Sequence, residues 1–433
     1  MRIVGTGEKG FDGALKKILK RGEADTSKVE EAVKSIIKGV RKRGDRALIS
    51  YTRKFDGVAL GKPGSMEIAR GQLEEALESI GRSDRQLLKK AARRIRDFHR
   101  RQLPKSWSMR EEDGTLLGQR VTPLERVGIY VPGGKAAYPS TVFMNAIPAK
   151  VAGVHEIVMV TPPSKEGVNP YVMAAAAIAG VERLFQVGGA QAVGALAFGT
   201  ESIPKVDKIV GPGNIYVATA KRLVYGTVDI DMIAGPSEIL IINDGTGESE
   251  WIAADLLSQA EHDELASSVL ITTSHEMAKA VSGAVTRQLK ALSRRAIAGE
   301  SIKKYGLIIV TKDLNEAAEI ANSIAPEHLE LFTKNPSRLI RKIRHAGAIF
   351  LGYHTPEALG DYMAGPNHTL PTGGTARFSS PLGVYDFVKY SSILSFPPNG
   401  LSRLGESVER FTAIEGLEAH GKSVSVRLKG RKA

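Results

Sequence analysis

The chain has 433 residues, 42% of them hydrophobic and 25% charged, with a net charge of +13 and no cysteine. That length can bury several cores and suggests two or more domains; the missing thiols exclude disulfides, thiolate metal sites and cysteine nucleophiles. The longest apolar run, 171–181, is about half of the roughly 20 residues that a membrane span needs, and residues 1–7 lack the apolar centre of a secretory signal, so a cytoplasmic protein without a membrane partner is expected.

Up to about residue 105 the chain reads as helices, with apolar residues at 3.6-residue period over 27–43 and 71–101. Residues 19–25 form a polar joint. The basic excess gathers between Arg82 and Arg110, where Leu88, Ala91, Ile95 and Phe98 recur at helical spacing. This is the pattern of an amphipathic helix with a charged, solvated side. No zinc-finger, RNP or basic-zipper spacing accompanies it, so no nucleic acid is expected as a partner. From Arg126 the texture changes to strand, glycine turn and helix in repetition. Apolar bursts at 127–131, 156–160, 183–187 and 208–210 form one series; bursts at 238–242, 268–272, 306–310 and 348–351 form a second. The alternation predicts α/β architecture, with two parallel-sheet domains in tandem joined near 234–236. After Pro381 the pattern stops. A long helix is expected over 401–420, with Leu404, Val408, Phe411, Ile414 and Leu417 as its apolar stripe and Gly421 closing it. Having no core of its own, it must dock on this chain or a partner.

Several segments collect polar residues between apolar flanks. Gln259 and His262 stand three apart on an expected helix, where they share a face and could converge on a metal ion or simply face water. Ala325-Pro326-Glu327-His328 reads as a helix opening; its carboxylate and imidazole could serve as acid and base, or as a dipole partner beside a surface histidine. Asp361 and His368 lie in a glycine-punctuated loop, Glu415 and His420 near the end of the last helix, and Ser237 on the interdomain joint. A tetrahedral or octahedral site of nitrogen and oxygen donors can be assembled from Gln259, His262, Asp361 and His420, which suits zinc or manganese. Gly188-Gly189-Ala190-Gln191 and Gly211-Pro212-Gly213-Asn214 sit at strand ends where backbone can approach phosphate, though neither carries the G-x-G-x-x-G fingerprint. They read equally as nucleotide turns or ordinary tight turns.

Taken together, VGIYVPGGKAAYPSTVFMNAIPAKVA from Val127, VGGAQAVGALAFGT and KIVGPGNIYVATAKRLV with DMIAGPSEIL up to Leu240, AADLLSQAEHD from Ala253, APEHLEL, GDYMAGPNHTLPTGGTARFSSPLGVYDF and EGLEAH resemble the histidinol dehydrogenase family over nearly the whole chain from about residue 25. The resemblance implies an NAD-dependent, four-electron oxidation of L-histidinol to L-histidine through a bound aldehyde, the last two steps of histidine biosynthesis. It implies two incomplete Rossmann-like domains: 26–126 with 238–380 as the first, and 127–237 as the NAD-binding domain. An N-terminal arm (1–25) and a helical C-terminal segment (381–433) would serve dimerisation. By the same resemblance Gln259, His262, Asp361 and His420 hold one zinc ion per subunit that orients the substrate. His328 is the base for alcohol oxidation and Glu327 activates water on the aldehyde, a route that needs no thiol. Ser237, His368 and Glu415 contact substrate, together with Gln259, His262, His328, Asp361 and His420; Tyr130, Gln191 and Asn214 contact NAD. The family's intertwined homodimer would bring His420 and Glu415 to the partner's site. A zinc and NAD enzyme on the same scaffold acting on another primary alcohol, such as a sulfonated diol, is the nearest alternative. A metal-dependent hydrolase would use similar ligands without needing the glycine turns.

Overall fold

In a computed structural model, residues 1–21, 27–61, 63–133 and 137–429 are described. The chain divides into two compact units, Met1–Gln102 with Leu124–Phe387, and Leu103–Pro123 with Val388–Ala433.

The larger unit contains two six-stranded sheets. One runs in the order Glu67–Ile68, Arg183–Gln186, Glu156–Thr161, Arg126–Tyr130, Lys208–Val210, Asp229–Ile230, parallel except at Glu67–Ile68. The other, parallel throughout, runs Arg2–Gly5, Gly306–Val310, Ser267–Thr272, Glu238–Asn243, His328–Phe332, Ala348–Leu351. Its strands are apolar at nearly every position because both faces are covered: Leu240 and Ile242 enter one core, Ile239 and Ile241 the other. This is the α/β, parallel-sheet architecture expected from the strand and turn rhythm.

Several boundaries differ from expectation. The sequence predicts an arm over 1–25, yet Arg2–Gly5 is the edge strand of the second sheet, and the helix Phe11–Leu19 buries Ala14 and Ile18 in its core. The resemblance implies that 26–126 group with 238–380, yet Val33, Ile37, Val40 and Leu48 pack on the first sheet, sharing a core with Val158, Val193 and Val217. The helix expected over 71–101 is two, Arg70–Ser79 and Arg82–His99, because Ile80 and Gly81 both adopt extended ψ angles near 150°. In the second helix Phe98 is exposed and His99 is buried, its Nδ1 donating to the Ile95 carbonyl at 2.8 Å.

The smaller unit has a three-stranded antiparallel sheet with Leu116–Pro123 between Val388–Ser395 and Trp107–Arg110, so its C-terminal part is not wholly helical. The helix expected over 401–420 is also two, Pro398–Ile414 and Glu418–Lys429. Gly416, at φ +71°, makes the break, whereas Gly421 lies inside the second helix, where a Cβ would stand 2.6 Å from Thr412 Oγ1. Phe411, Ile414 and Leu417 of the expected stripe are exposed on the single chain.

Candidate active site

The strands Glu238–Asn243 and His328–Phe332 start side by side, with Ile239 opposite His328. The helix Leu314–Ile324 stops at Ala325, the one described non-glycine residue with positive φ, at +51°. That conformation costs an alanine roughly 1 kcal/mol. It turns the chain directly into the strand, so Pro326 opens no helix: Leu329 and Leu331 alternate into the sheet core instead. Glu327 and His328 are thereby delivered to the amino edge of the sheet.

The two are locked there by backbone. Glu327 Oε2 accepts the Glu238 N–H at 2.8 Å, and Glu238 Oε2 accepts the Glu327 N–H at 3.2 Å. Glu238 Oε1 takes the Gly373 N–H at 2.8 Å and the Arg21 guanidinium at 2.7 Å. His328 Nδ1 lies 2.9 Å from the Glu238 carbonyl oxygen. A carbonyl only accepts, so Nδ1 donates, and in the neutral ring the lone pair is on Nε2. Burial pushes the Glu327 carboxyl up to about 8, with His328 pulling it down and Glu238 adding to the rise. Burial opposes a charge on His328, but Glu327, Asp361 and Glu357 outweigh it and hold the ring up to about 10.

His328 Nε2 faces Asp361 Oδ1 at 3.8 Å and Glu357 Oε1 at 3.9 Å. Asp361 rides on a π-helical turn, Gly360–Ala364, a geometry frequent at functional sites. Arg94 of the basic helix donates to the carbonyls of Met363 and Ala364 and so holds that turn. His368 Nδ1 donates to the Asp361 carbonyl at 3.1 Å. Burial would raise Asp361, but the neighbouring His328 and His368 bring it down to about 2. Glu357 is pushed up to about 7, by burial first, with His328 acting the other way. Its position is fixed by Ser258 Oγ, which donates to Oε2 at 2.8 Å, and by its own N–H, which donates to Glu330 Oε1 at 3.0 Å.

Ligand atoms of His328, Glu357 and Asp361 lie within 4.8 Å of one another, close enough to share one cation. Gln259, near the end of the helix Ser249–Ala260, is 1% exposed, and its Oε1 has no hydrogen-bond partner among the described residues; nor has His328 Nε2. An unpaired buried amide oxygen costs about 1–3 kcal/mol, which coordination would recover. The donors fit a cation with nitrogen and oxygen ligands. His262 lies past the last helical residue, because the helix ends at Ala260; its N–H bonds the Gln259 carbonyl at 3.2 Å. Gln259 and His262 are thus linked by one hydrogen-bonded turn, with His262 just beyond the helix's last residue. His262 is exposed and within electrostatic reach of Asp361. Ser237 is half-buried immediately before Glu238. Glu415 and His420 belong to the smaller unit; both are exposed, Glu415 closing one helix and His420 standing in the next.

Sequence reasoning overlooked Glu357, Glu238 and Arg94 as parts of the site. Only the first left a legible trace, since Glu357 and Asp361 stand four apart and can share a helix face.

The glycine turns occupy the opposite kind of position, at carboxyl ends of strands in the first sheet. Gly211 to Asn214 lies where the strand order reverses, between Arg126–Tyr130 and Lys208–Val210. A crevice of about 520 Å³ opens beyond the strands Arg126–Tyr130 and Glu156–Thr161, lined by Gly133, Thr161, Pro162, Ser164, Lys165 and Asn169. Tyr130 is only 3% exposed, and its hydroxyl accepts the Gly189 N–H at 3.0 Å. Burial, with the Asp56 charge adding, pushes its phenol up to about 12, against the Gly189 bond. Gln191 is buried as well, at 1%. Asn214 is exposed, and its Oδ1 caps the helix Ile215–Val224 by accepting from Tyr216 N–H and Val217 N–H at 3.0 and 3.2 Å.

Residues 19–428 match the family model of histidinol dehydrogenase. The chain is 59% identical over 429 residues to histidinol dehydrogenase of Syntrophotalea carbinolica, covering 99% of each chain. It is 58% identical over 413 residues to that of Aquifex aeolicus, covering 95% of this chain and 96% of the relative. The crystal structure of histidinol dehydrogenase from Elizabethkingia anophelis superposes with a TM-score of 0.92 at 35% identity, over 100% of this chain and 98% of that one.

Proposed function

Because the chain belongs to the histidinol dehydrogenase family and is an NAD-dependent oxidoreductase of histidine biosynthesis, we propose that the buried Glu327 and His328 pair carries both oxidations of L-histidinol at one site. The observation that carries this reading is the tautomer of His328. With Nδ1 donating to the Glu238 carbonyl, Nε2 is the atom that carries the exchangeable proton and acts as the base once the ring has given it up, while Glu327 Oε2 lies 3.6 Å from Nδ1 on the same strand edge.

In the first oxidation, Nε2 takes the hydroxyl proton while the carbinol carbon gives up a hydride, leaving the aldehyde. Glu327 then removes a proton from water as it adds to the aldehyde carbon. The resulting hydrate anion loses a second hydride and its remaining hydroxyl proton to become the carboxylate, so four electrons leave in two pairs. Gln259, His262 and Asp361 would hold a zinc ion, with His420 of a second subunit completing the set. When bound, the metal would orient the substrate's imidazole and amino nitrogens, and NAD⁺ at the glycine turns of the first sheet would supply the hydride acceptor. Ser237, His368 and Glu415 would contact the substrate. Tyr130 and Gln191, both buried, would act on the cofactor through the Gly189 turn that they pack against. We assign the protein to a cytoplasmic homodimer whose exposed stripe at Phe411 and Ile414 meets its partner.

The test is substrate choice. Purified protein is given NAD⁺ with L-histidinol or with a sulfonated primary alcohol, and NADH is followed by absorbance. NADH from histidinol supports the reading; NADH from the other alcohol alone moves the protein to another substrate.

A further inference from the structure

Gly211 is held by side chains through both of its flanking peptides. Its N–H donates to Asp231 Oδ2 at 2.8 Å, and its carbonyl accepts from Lys221 Nζ at 2.9 Å. Lys221 Nζ also pairs with Asp231 Oδ1, so the glycine, the acid and the lysine form a closed ring. Asp231 Oδ1 takes the Met232 N–H at 2.6 Å as well. The lysine and aspartate side chains are 2% and 1% exposed. Gly211 itself has φ +107°, and a Cβ there would stand 2.2 Å from the Tyr130 carbonyl oxygen. The turn is therefore pressed against the end of the central strand in a conformation that the backbone does not favour by itself.

A buried ion pair is weak evidence for stability, since well-packed apolar side chains of similar volume are often as good or better. What this pair does supply is direction. Lys221 reaches back from the helix that begins at Ile215, and Asp231 reaches across from the end of the edge strand; between them they fix the peptide planes on both sides of Gly211. The orientation of Pro212, Gly213 and Asn214 follows from those planes, because Gly213 is itself tight against Val217, 2.4 Å from the site of a Cβ. We infer that Lys221 and Asp231 are positioning residues for the cofactor: their pair holds the Gly211 peptide so that the turn ending in Asn214 is preorganised to receive NAD. The inference rests on the reading that this turn is where the cofactor binds.

The test compares Lys221→Met, Asp231→Asn and the double variant Lys221→Met/Asp231→Leu with wild type and with Asn214→Ala. NADH affinity is measured by fluorescence titration, the KM values for NAD⁺ and histidinol and kcat at saturation by absorbance, and the thermal midpoint by circular dichroism. The expected result is a rise of about ten- to a hundredfold in the NADH Kd and the KM for NAD⁺, with the KM for histidinol within about twofold of wild type. The double variant leaves the Gly211 N–H and carbonyl and the Met232 N–H without their partners and should melt below the wild-type midpoint; the positioning role is read, well below that midpoint, from weakened NADH binding beside an unchanged KM for histidinol, a split that a general loss of structure would not produce. Wild-type NADH affinity in the double variant or in Asp231→Asn, with affinity lost in Asn214→Ala, overturns the positioning role alone. Unchanged affinity in all variants, Asn214→Ala included, overturns the placement of the cofactor at this turn and the inference with it.

Discussion

Replacing Glu327 by Gln separates the two oxidations. The amide keeps an oxygen to accept the Glu238 N–H, now at 2.8 Å, and leaves untouched the backbone bond to Glu238 Oε2 at 3.2 Å, so the clasp survives. It removes the only group assigned to draw a proton from the attacking water. A positioned general base contributes about 10²–10⁴-fold, or about 3–5 kcal/mol of barrier, and that is the expected loss in aldehyde oxidation. Alcohol oxidation depends on His328 Nε2. There the loss of a neighbouring carboxylate lowers the ring's affinity for a proton without removing the base, and an effect within about tenfold is expected, about 1.4 kcal/mol. Single-turnover NADH formation from histidinol and from histidinal measures the two separately. Equal slowing of both steps, or none in the aldehyde step, refutes the division of labour. Global stability should hold or rise, because a neutral amide replaces a carboxyl whose ionisation is opposed by burial.

The pH dependence follows from the same group. Glu327 acts as a base only when ionised, and its carboxyl is raised to about 8 from 4.5. Aldehyde oxidation should therefore climb with pH through about 8 and level off above it; a profile flat from pH 6 upward contradicts this. Across that window the folded state keeps a proton that the unfolded chain has released, so stability falls as pH rises, and the Glu327→Gln variant should show a shallower fall in urea titrations. Arg94→Met should loosen the Gly360–Ala364 turn and weaken retention of zinc by about 10–100-fold, read by elemental analysis after dialysis against a graded chelator; unchanged retention removes Arg94 from the site. Mixing His420→Ala subunits with Gln259→Ala subunits should regenerate activity in mixed dimers if one chain completes its partner's site, and verified mixed dimers without activity would show that each chain builds its own.

Most of the fold was legible because parallel strands buried on both faces announce themselves as apolar runs between glycine turns. The strand Glu238–Asn243 and the helix Leu314–Ile324 follow directly from that pattern. Helix ends were harder. The breaks at Ile80–Gly81 and at Gly416 depend on one or two backbone angles that periodicity does not encode, and Pro326 misled because proline also precedes strands. Within the site, Glu327, His328, Asp361 and His368 stood out as polar residues in apolar or glycine-rich company, and they do converge. Glu238 and Arg94 could not be found this way: Glu238 begins an ordinary strand, and Arg94 is one of many cations on a basic helix whose partners lie far away in sequence. Lys221 and Asp231 were equally hidden, since only the folded chain sets them on both sides of Gly211.

The central claim, one buried base pair serving two successive oxidations, is tested most directly by stoichiometry. With limiting L-histidinol and excess NAD⁺, the purified protein should form two NADH per histidinol consumed, yield histidine, and release no free aldehyde to a trapping amine. One NADH per histidinol with trapped aldehyde would contradict it.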